Sequence, residues 1–269
     1  MVTSALVVAS GVAWAASISC PNRSGNLCVG TSQSDIMTGR DRADEMRGRE
    51  GGDKMRGAGG ADVISGQEGA DTVSGQDGPD TLAGGLGKDA LSGAKGKDRL
   101  IGAEGDDALN GGSADDTYSF TINDWGDDTI TDTTTADTDP LTGNFAEFGF
   151  PDPLTTSVTV NLTTSANSPE ASNGTLTGTV NWSNNAVDGV YVGTTQDDTV
   201  RGNGLANMLV VKGDDVSGDD VFGGAGNDWI SVSDFEGGDF VDCGEDGVGV
   251  ADDDQVFFDA GDTITNCER

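Results

Sequence analysis

Residues 57–82 read GAGGADVISGQEGADTVSGQDGPDTL, one phrase stated three times. Gly, Asp and an aliphatic residue each return at every ninth position. Followed outward, Gly recurs at 30, 39, 48, 57, 66, 75, 84, 93, 102 and 111. Asp keeps step at 35, 44, 53, 62, 71, 80, 89, 98, 107 and 116. Two residues after each Asp comes Met37, Met46, Met55, Ile64, Val73, Leu82, Leu91, Leu100, Leu109 or Tyr118. A helix is excluded, because Gly in every unit weakens it and no 3.6-residue apolar spacing appears. Short strands joined by Gly-bearing turns fit, coiled into a parallel solenoid with the apolar residue inward. Gly supplies turn angles that other residues resist, and Asp ends each turn with a carboxylate.

That arrangement carries an electrostatic cost. Strands of neighbouring coils lie about 4.8 Å apart, so each Asp above another costs about 3.5 kcal/mol at an effective dielectric of about 20. A hard divalent cation between coils converts the repulsion into ligation. Oxygen donors of this kind suit calcium, and the free energy of binding then becomes free energy of folding.

Composition agrees. The 269 residues include 43 Gly and no His, with 34% hydrophobic and 6% aromatic residues, a thin supply for an ordinary core. The net charge of −33 repels nucleic acid and anionic membranes and attracts cations. Without His there is neither the usual general base nor a common zinc ligand. No G-x-S-x-G elbow occurs, and acidic pairs are too frequent for one to stand out as a glycosidase dyad. The expectation is a chain without catalysis.

The ends point to export. An apolar run from Ala5 to Val12 leads into Ala13-Trp14-Ala15, a small-x-small cleavage pattern, so residues 1–16 read as a signal peptide. No Lys or Arg precedes the run, which suggests a true start upstream of Met1. The run is too short to span a bilayer. Cys20 and Cys28 sit near one end, Cys243 and Cys267 near the other. In an exported protein these read as two local disulfides.

The nonapeptide resembles the repeats-in-toxin (RTX) unit, Gly-Gly-x-Gly-x-Asp-x-apolar-x. The resemblance implies a right-handed parallel β-roll, two nonapeptides per coil, with Ca²⁺ in the turns between coils. Carried onto this chain, Asp35, Asp53, Asp71, Asp89 and Asp107 line one edge. Asp44, Asp62, Asp80, Asp98 and Asp116 line the other. Residues 223–231, GGAGNDWIS, match the full pattern. In the first array the second Gly is kept only at Gly85 and Gly112, and the fourth-position Gly is replaced by Gln33, Arg42 and Ala114. Arg40, Arg42, Arg47, Arg49, Lys54 and Arg56 crowd the earliest turns, which are expected to bind calcium weakly or to use basic side chains in its place. The ligands expected from the resemblance are Asp53, Asp62, Asp71, Asp80, Asp89, Asp98, Asp107, Asp116, Asp198, Asp219 and Asp228.

Past residue 119 the register breaks. Alternation at Val158, Val160 and Leu162, then at Leu176, Val180 and Trp182, reads as strands with one buried face, in broader coils or a small β-insert with Pro-marked loops, and the stretch reads best as a spacer that continues the solenoid. DWGDDTITD at 124–132 resembles the Trp-Gly segment that interrupts RTX arrays. The repeat returns imperfectly from Gly193, with Asp198, Asn207, Asp219 and Asp228 in the ligand place. Asp252, Asp253 and Asp254 could ligate a metal, but read better as a solvated turn. The ending resembles the disulfide-closed terminus of exported bacterial calcium-repeat proteins and reads as a cap over an open solenoid end. The expected organisation is a signal peptide over 1–16, a disulfide cap over 17–29 and the β-roll over 30–119. An irregular β-insert over 120–192, a degenerate second β-roll over 193–238 and a second disulfide cap over 239–269 follow.

Three functions compete for this reading, and the residues favour the first. The first is a secreted, calcium-binding, non-catalytic monomer with a structural or surface-adhesive role. The second is calcium-dependent glycan binding or modification in a cleft near Tyr118, Trp125 and Trp182. The third, a flat ligand-binding face, needs a Thr ladder; Thr72 and Thr81 have Val63, Ala90, Arg99 and Ala108 as neighbours, so none forms.

Overall fold

The computed structural model describes residues 16–20, 27–120, 126–131, 144–148, 159–161, 171–172, 179–182, 189–193, 197–212, 218–232, 238–244 and 253–267. Among them every regular element is a strand. The strands form two sheets of 14 and 11. In the repeat array successive strands alternate between them: Lys54–Gly59, Thr72–Asp77, Ala90–Lys95 and Ala108–Ser113 stack in one, Glu45–Glu50, Val63–Glu68, Thr81–Leu86 and Arg99–Glu104 in the other. Partners are 18 residues apart and parallel, as in Met46↔Ile64↔Leu82↔Leu100. One coil is therefore two nonapeptides, and the molecule is an all-β parallel solenoid.

In the array each six-residue strand buries its second residue, which is apolar, and its fourth, which is glycine, so the inward residues form columns. Met37, Met55, Val73, Leu91, Leu109 and Ile130 make one, and Cys28, Met46, Ile64, Leu82, Leu100 and Tyr118 the other; all are buried. The thin apolar supply suffices because each nonapeptide needs one large inward side chain.

The nonapeptide period stops at Tyr118, but the coils continue. Asp127–Ile130 pairs with the strand at Ala108–Ser113, and Phe145–Phe148 pairs with Thr117–Phe120. Thr179–Trp182 and Gly189–Val192 follow on the two sheets, then Met208–Val211 and Trp229–Ser231. The described strands of 120–192 thus extend both sheets. Only the short strand Ala171–Ser172 runs antiparallel to its neighbours. Phe120 and Phe148, both buried, stack within this stretch at 4.9 Å between ring centroids.

Disulfides join Cys20 to Cys28 and Cys243 to Cys267, with Cα–Cα distances of 5.4 and 5.1 Å. Residues 1–15, where most of the signal peptide is expected, lie outside the described residues. No helix among the described residues is long and apolar enough to cross a membrane.

Candidate metal centre

Asp opens each inward-facing stretch, two residues before the buried apolar side chain, so its carboxylate also enters the solenoid at the edge where the two sheets meet. All eleven expected ligand residues are buried. Each sits directly over its counterpart in the next coil. The Oδ1 atom of Asp71 accepts the main-chain N–H of Asp53 at 2.7 Å, that of Asp80 accepts from Asp62 at 2.8 Å, and that of Asp89 accepts from Asp71 at 2.7 Å. The same bond links Asp80 to Asp98, Asp89 to Asp107 and Asp98 to Asp116, all at 2.8 Å. Each Asp carbonyl also accepts from the following coil, as where Thr72 donates to Asp53 and Ala90 to Asp71 at 2.8 and 2.9 Å.

The second carboxylate oxygen is different. Oδ2 of Asp53, Asp62, Asp71, Asp80, Asp89, Asp98 and Asp107 is buried with no hydrogen-bond donor in reach. It points at the first glycine of its own repeat: a Cβ on Gly66 would strike Oδ2 of Asp71, and one on Gly57 would strike Oδ2 of Asp62. These glycines do not have positive φ. They recur every nine residues to leave room for a carboxylate oxygen, not for the turn angles that the sequence suggested.

Burial without a second donor makes the charged form costly. It pushes Asp53, Asp62, Asp71, Asp89 and Asp107 up to about 6 and Asp80 up to about 7. The hydrogen bond from the neighbouring coil pulls each downward, and the charge of adjacent Asp residues adds to the rise. Burial also raises Asp98.

The columns extend beyond the residues the sequence singled out. Asp128 accepts the N–H of Asp107 at 2.8 Å, and its own Oδ2 is orphaned. It is driven up to about 8, first by burial and then by the charges of Asp107, Asp106 and Asp127. Asn144 takes the same place over Asp116 at 2.8 Å. Nearer the C-terminus Asp198 donates to Asp219, Asp219 to Asp239, Asn207 to Asp228 and Asp228 to Asp254, at 2.7–2.9 Å. The signal for Asp128, Asp239 and Asp254 was an Asp two residues before Ile130, Val241 and Val256, visible once the nine-residue count is dropped. Asp254 also corrects the expectation of a solvated turn: it is 8% exposed and bonded to the coil below, while Asp253 is exposed.

The expected aromatic cleft is not assembled at Tyr118, which is fully buried in the core with its hydroxyl accepting the N–H of Gly111 at 2.8 Å. Trp125 lies outside the described residues, as does the side chain of Trp182.

Columns of buried carboxylates in which Asp53, Asp62, Asp71, Asp80, Asp89, Asp98, Asp107 and Asp128 each commit one oxygen to the main chain and leave the other orphaned fit a hard cation. Among the described residues no group of three carboxylate, thiol or imidazole side chains converges as a metal site. Main-chain oxygens or water would complete any shell, as suits a cation that takes carbonyl and water as readily as carboxylate oxygen. A parallel solenoid with acidic columns along both edges defines a calcium-binding repeat protein. The RTX calcium-binding nonapeptide repeat family matches residues 29–64, 47–82, 65–100 and 83–118, and again 217–234. Over these spans the chain is an RTX-type repeat array, and its ion is Ca²⁺. Comparison with curated proteins gives no match.

Proposed function

We propose that Asp53, Asp62, Asp71, Asp80, Asp89, Asp98, Asp107, Asp116, Asp198, Asp219 and Asp228, joined by Asp128, hold Ca²⁺ between neighbouring coils, and that calcium completes the folding of the chain after export. The observation that carries this reading is the orphaned Oδ2 of Asp53, Asp62, Asp71, Asp80, Asp89, Asp98, Asp107 and Asp128, at the same place on coil after coil; Asp116, Asp198, Asp219 and Asp228 join them by their position in the same hydrogen-bonded columns. Such an atom needs a proton or a cation. Above pH 7 a proton is the weaker candidate for carboxyls raised only to about 6, whereas a divalent cation serves two stacked carboxylates at once.

The chain's own residues prepare the site. The N–H of one Asp fixes Oδ1 of the next and so sets the direction of Oδ2. The repeat glycine leaves the space. When bound, calcium neutralises the columns and ties adjacent coils together. Two disulfides suit an oxidising compartment, where calcium also reaches the concentrations that low-affinity modules need. The protein is then a secreted, non-catalytic monomer with a structural or surface role, and a glycan or cell-surface partner would be met by the outward faces.

Far-UV circular dichroism of the chain from Ala16 onward, in EDTA and through a calcium titration with magnesium as control, tests this. The expected result is a disordered spectrum that becomes β as calcium rises. A β spectrum indifferent to chelation would mean that the Asp ladder and the core hold the coils unaided, and the calcium-folding reading would be lost.

A further inference from the structure

The turns of the array have two conformations. In every turn from Gly48 to Asp116 the second residue has positive φ: Arg49, Ala58, Gln67, Gln76, Gly85, Ala94, Ala103 and Gly112, between 77° and 118°. The fourth residue does too, from Gly51 at 108° through Gly105 at 132° to Ala114 at 83°. Six of the eight second positions are not glycine, so most of these turns hold an L-residue in the left-handed region that such residues resist. In them, from Asp53 to Asp107, no donor reaches Oδ2.

The first two turns differ. Thr31, Gln33, Arg40 and Arg42 hold the same second and fourth places without positive φ. With the main chain rotated this way, the N–H of the second residue turns inward. Thr31 donates to Oδ2 of Asp35 at 2.6 Å, and Arg40 donates to Oδ2 of Asp44 at 2.7 Å. Asp35 is further served by the N–H of Ala16 at 2.7 Å on Oδ1 and by the hydroxyl of Thr31. Two of the basic side chains expected to substitute for calcium go elsewhere: Nε of Arg40 donates to the carbonyl of Cys20 at 3.0 Å, and Arg47 pairs with Glu45 at 2.8 Å. One later turn repeats the closed form. Asn203 donates its N–H to Oδ1 of Asn207 at 2.8 Å, and there the carboxylate has been replaced by an amide, which has no charge for a cation to neutralise.

We infer that the turns ending at Asp35, Asp44 and Asn207 take no calcium, because a main-chain N–H occupies the place the cation has elsewhere. With the Cys20–Cys28 disulfide, the first two turns form a calcium-independent end on which the calcium-dependent coils are laid. This rests on the reading of the open turns as calcium sites. It also accounts for two departures from the repeat: Gln33 and Arg42 stand where a glycine is expected because a closed turn does not need positive φ at that position.

Calcium stoichiometry by equilibrium dialysis on the full chain and four variants tests the inference. Asp35→Asn and Asp44→Asn are expected to bind as many ions as the parent, whereas Asp71→Asn and Asp80→Asn each lose about one ion or its tight binding. Loss of an ion in Asp35→Asn or Asp44→Asn equal to that in Asp71→Asn would overturn the inference. No loss in any of the four would instead overturn the calcium reading of the open turns, and the contrast with it. Hydrogen exchange of the unmutated chain in EDTA gives a second measure that needs no variant to fold. The amides of Thr31 and Arg40 are expected to exchange at least about tenfold more slowly than those of Thr72 and Ala90. Equal exchange would remove the calcium-independent end.

Discussion

Oδ1 of Asp89 accepts the main-chain N–H of Asp71 at 2.7 Å, and Oδ2 of the same carboxylate is buried without a donor. The two oxygens of one side chain therefore have different tasks. Oδ1 replaces a sheet hydrogen bond at the point where the strand turns away, which makes it structural in any metal state. Oδ2 has no use in the metal-free fold and opposes it.

This separation predicts different outcomes for amide and alanine substitutions. Asp89→Asn keeps an acceptor for the Asp71 N–H and removes the buried charge. It is expected to weaken calcium binding while leaving the metal-free chain as stable as the parent or more so. Asp89→Ala also leaves the buried Asp71 N–H unsatisfied, at a cost of about 1–3 kcal/mol in both states. Asp71→Ala with Asp89→Ala should reduce calcium affinity and stability far more than Asp137→Ala with Asp139→Ala, a pair outside both the repeat and the described residues. Calcium titrations and denaturant midpoints of the parent and these four variants check this.

The carboxyls also set a pH dependence whose sign differs between metal-free and loaded chains. Folded-state values raised above the unfolded value mean that the metal-free fold binds protons more tightly than the unfolded chain. That stabilisation is complete below about pH 4. It is lost as pH rises through about 6 for Asp53, Asp62, Asp71, Asp89 and Asp107, about 7 for Asp80 and about 8 for Asp128. In EDTA the chain should therefore gain β structure as pH falls from 8 to 4. Calcium requires the ionised carboxylates, so its apparent affinity should fall over the same interval. Circular dichroism against pH with and without calcium reads both trends, and parallel trends in the two conditions would contradict the assignment.

The repeat array was legible because each nonapeptide builds the same piece of coil from the same three residues. Gly66, Asp71 and Val73 have single structural roles, and the period exposes them. Two features were not legible. One was which residues carry the acidic columns onward, Asp128, Asn144 and Asp254, because loops between strands changed the spacing from 18 to 21, 28 and 26 residues while the three-dimensional register held. The other was the orientation of each carboxylate oxygen. Asp35 and Asp71 look alike in the sequence, and only the φ of a neighbour four residues earlier decides whether Oδ2 finds an N–H.

Backbone conformation at those neighbours gives a prediction free of charge effects. Ala103 has φ near 77°, where an L-residue is strained. Ala103→Gly removes about 1–2 kcal/mol of strain and adds roughly 0.5–1 kcal/mol of unfolded-chain entropy, so the calcium-loaded protein should be unchanged or slightly more stable. Gly105→Ala is the opposite case. Gly105 has φ near 132°, and a Cβ there would strike the carbonyl of Gly87 in the coil below. A loss of about 1–3 kcal/mol is expected. Thermal unfolding in saturating calcium should place the two variants on opposite sides of the parent, or at least well apart.

The disulfides constrain loops of different size, which ranks their removal. Cys20 and Cys28 are 8 residues apart, and Cys243 and Cys267 are 24 apart. Loop-closure entropy assigns about 2.6 kcal/mol to the first and about 3.5 kcal/mol to the second. The structural contexts widen that gap in the absence of calcium. The N-terminal pair adjoins turns whose Asp35 and Asp44 oxygens are satisfied by main-chain N–H groups. The C-terminal pair closes coils that contain Asp228, Asp239 and Asp254 in the acidic columns. Cys243→Ser with Cys267→Ser should therefore raise the calcium needed to order the strands at Phe240–Asp242 and Thr263–Thr265, whereas Cys20→Ser with Cys28→Ser should lower stability with little change in calcium demand. Hydrogen exchange of those two strands across a calcium titration distinguishes the cases, and an equal calcium shift in both double variants would show that the ends are not different in kind.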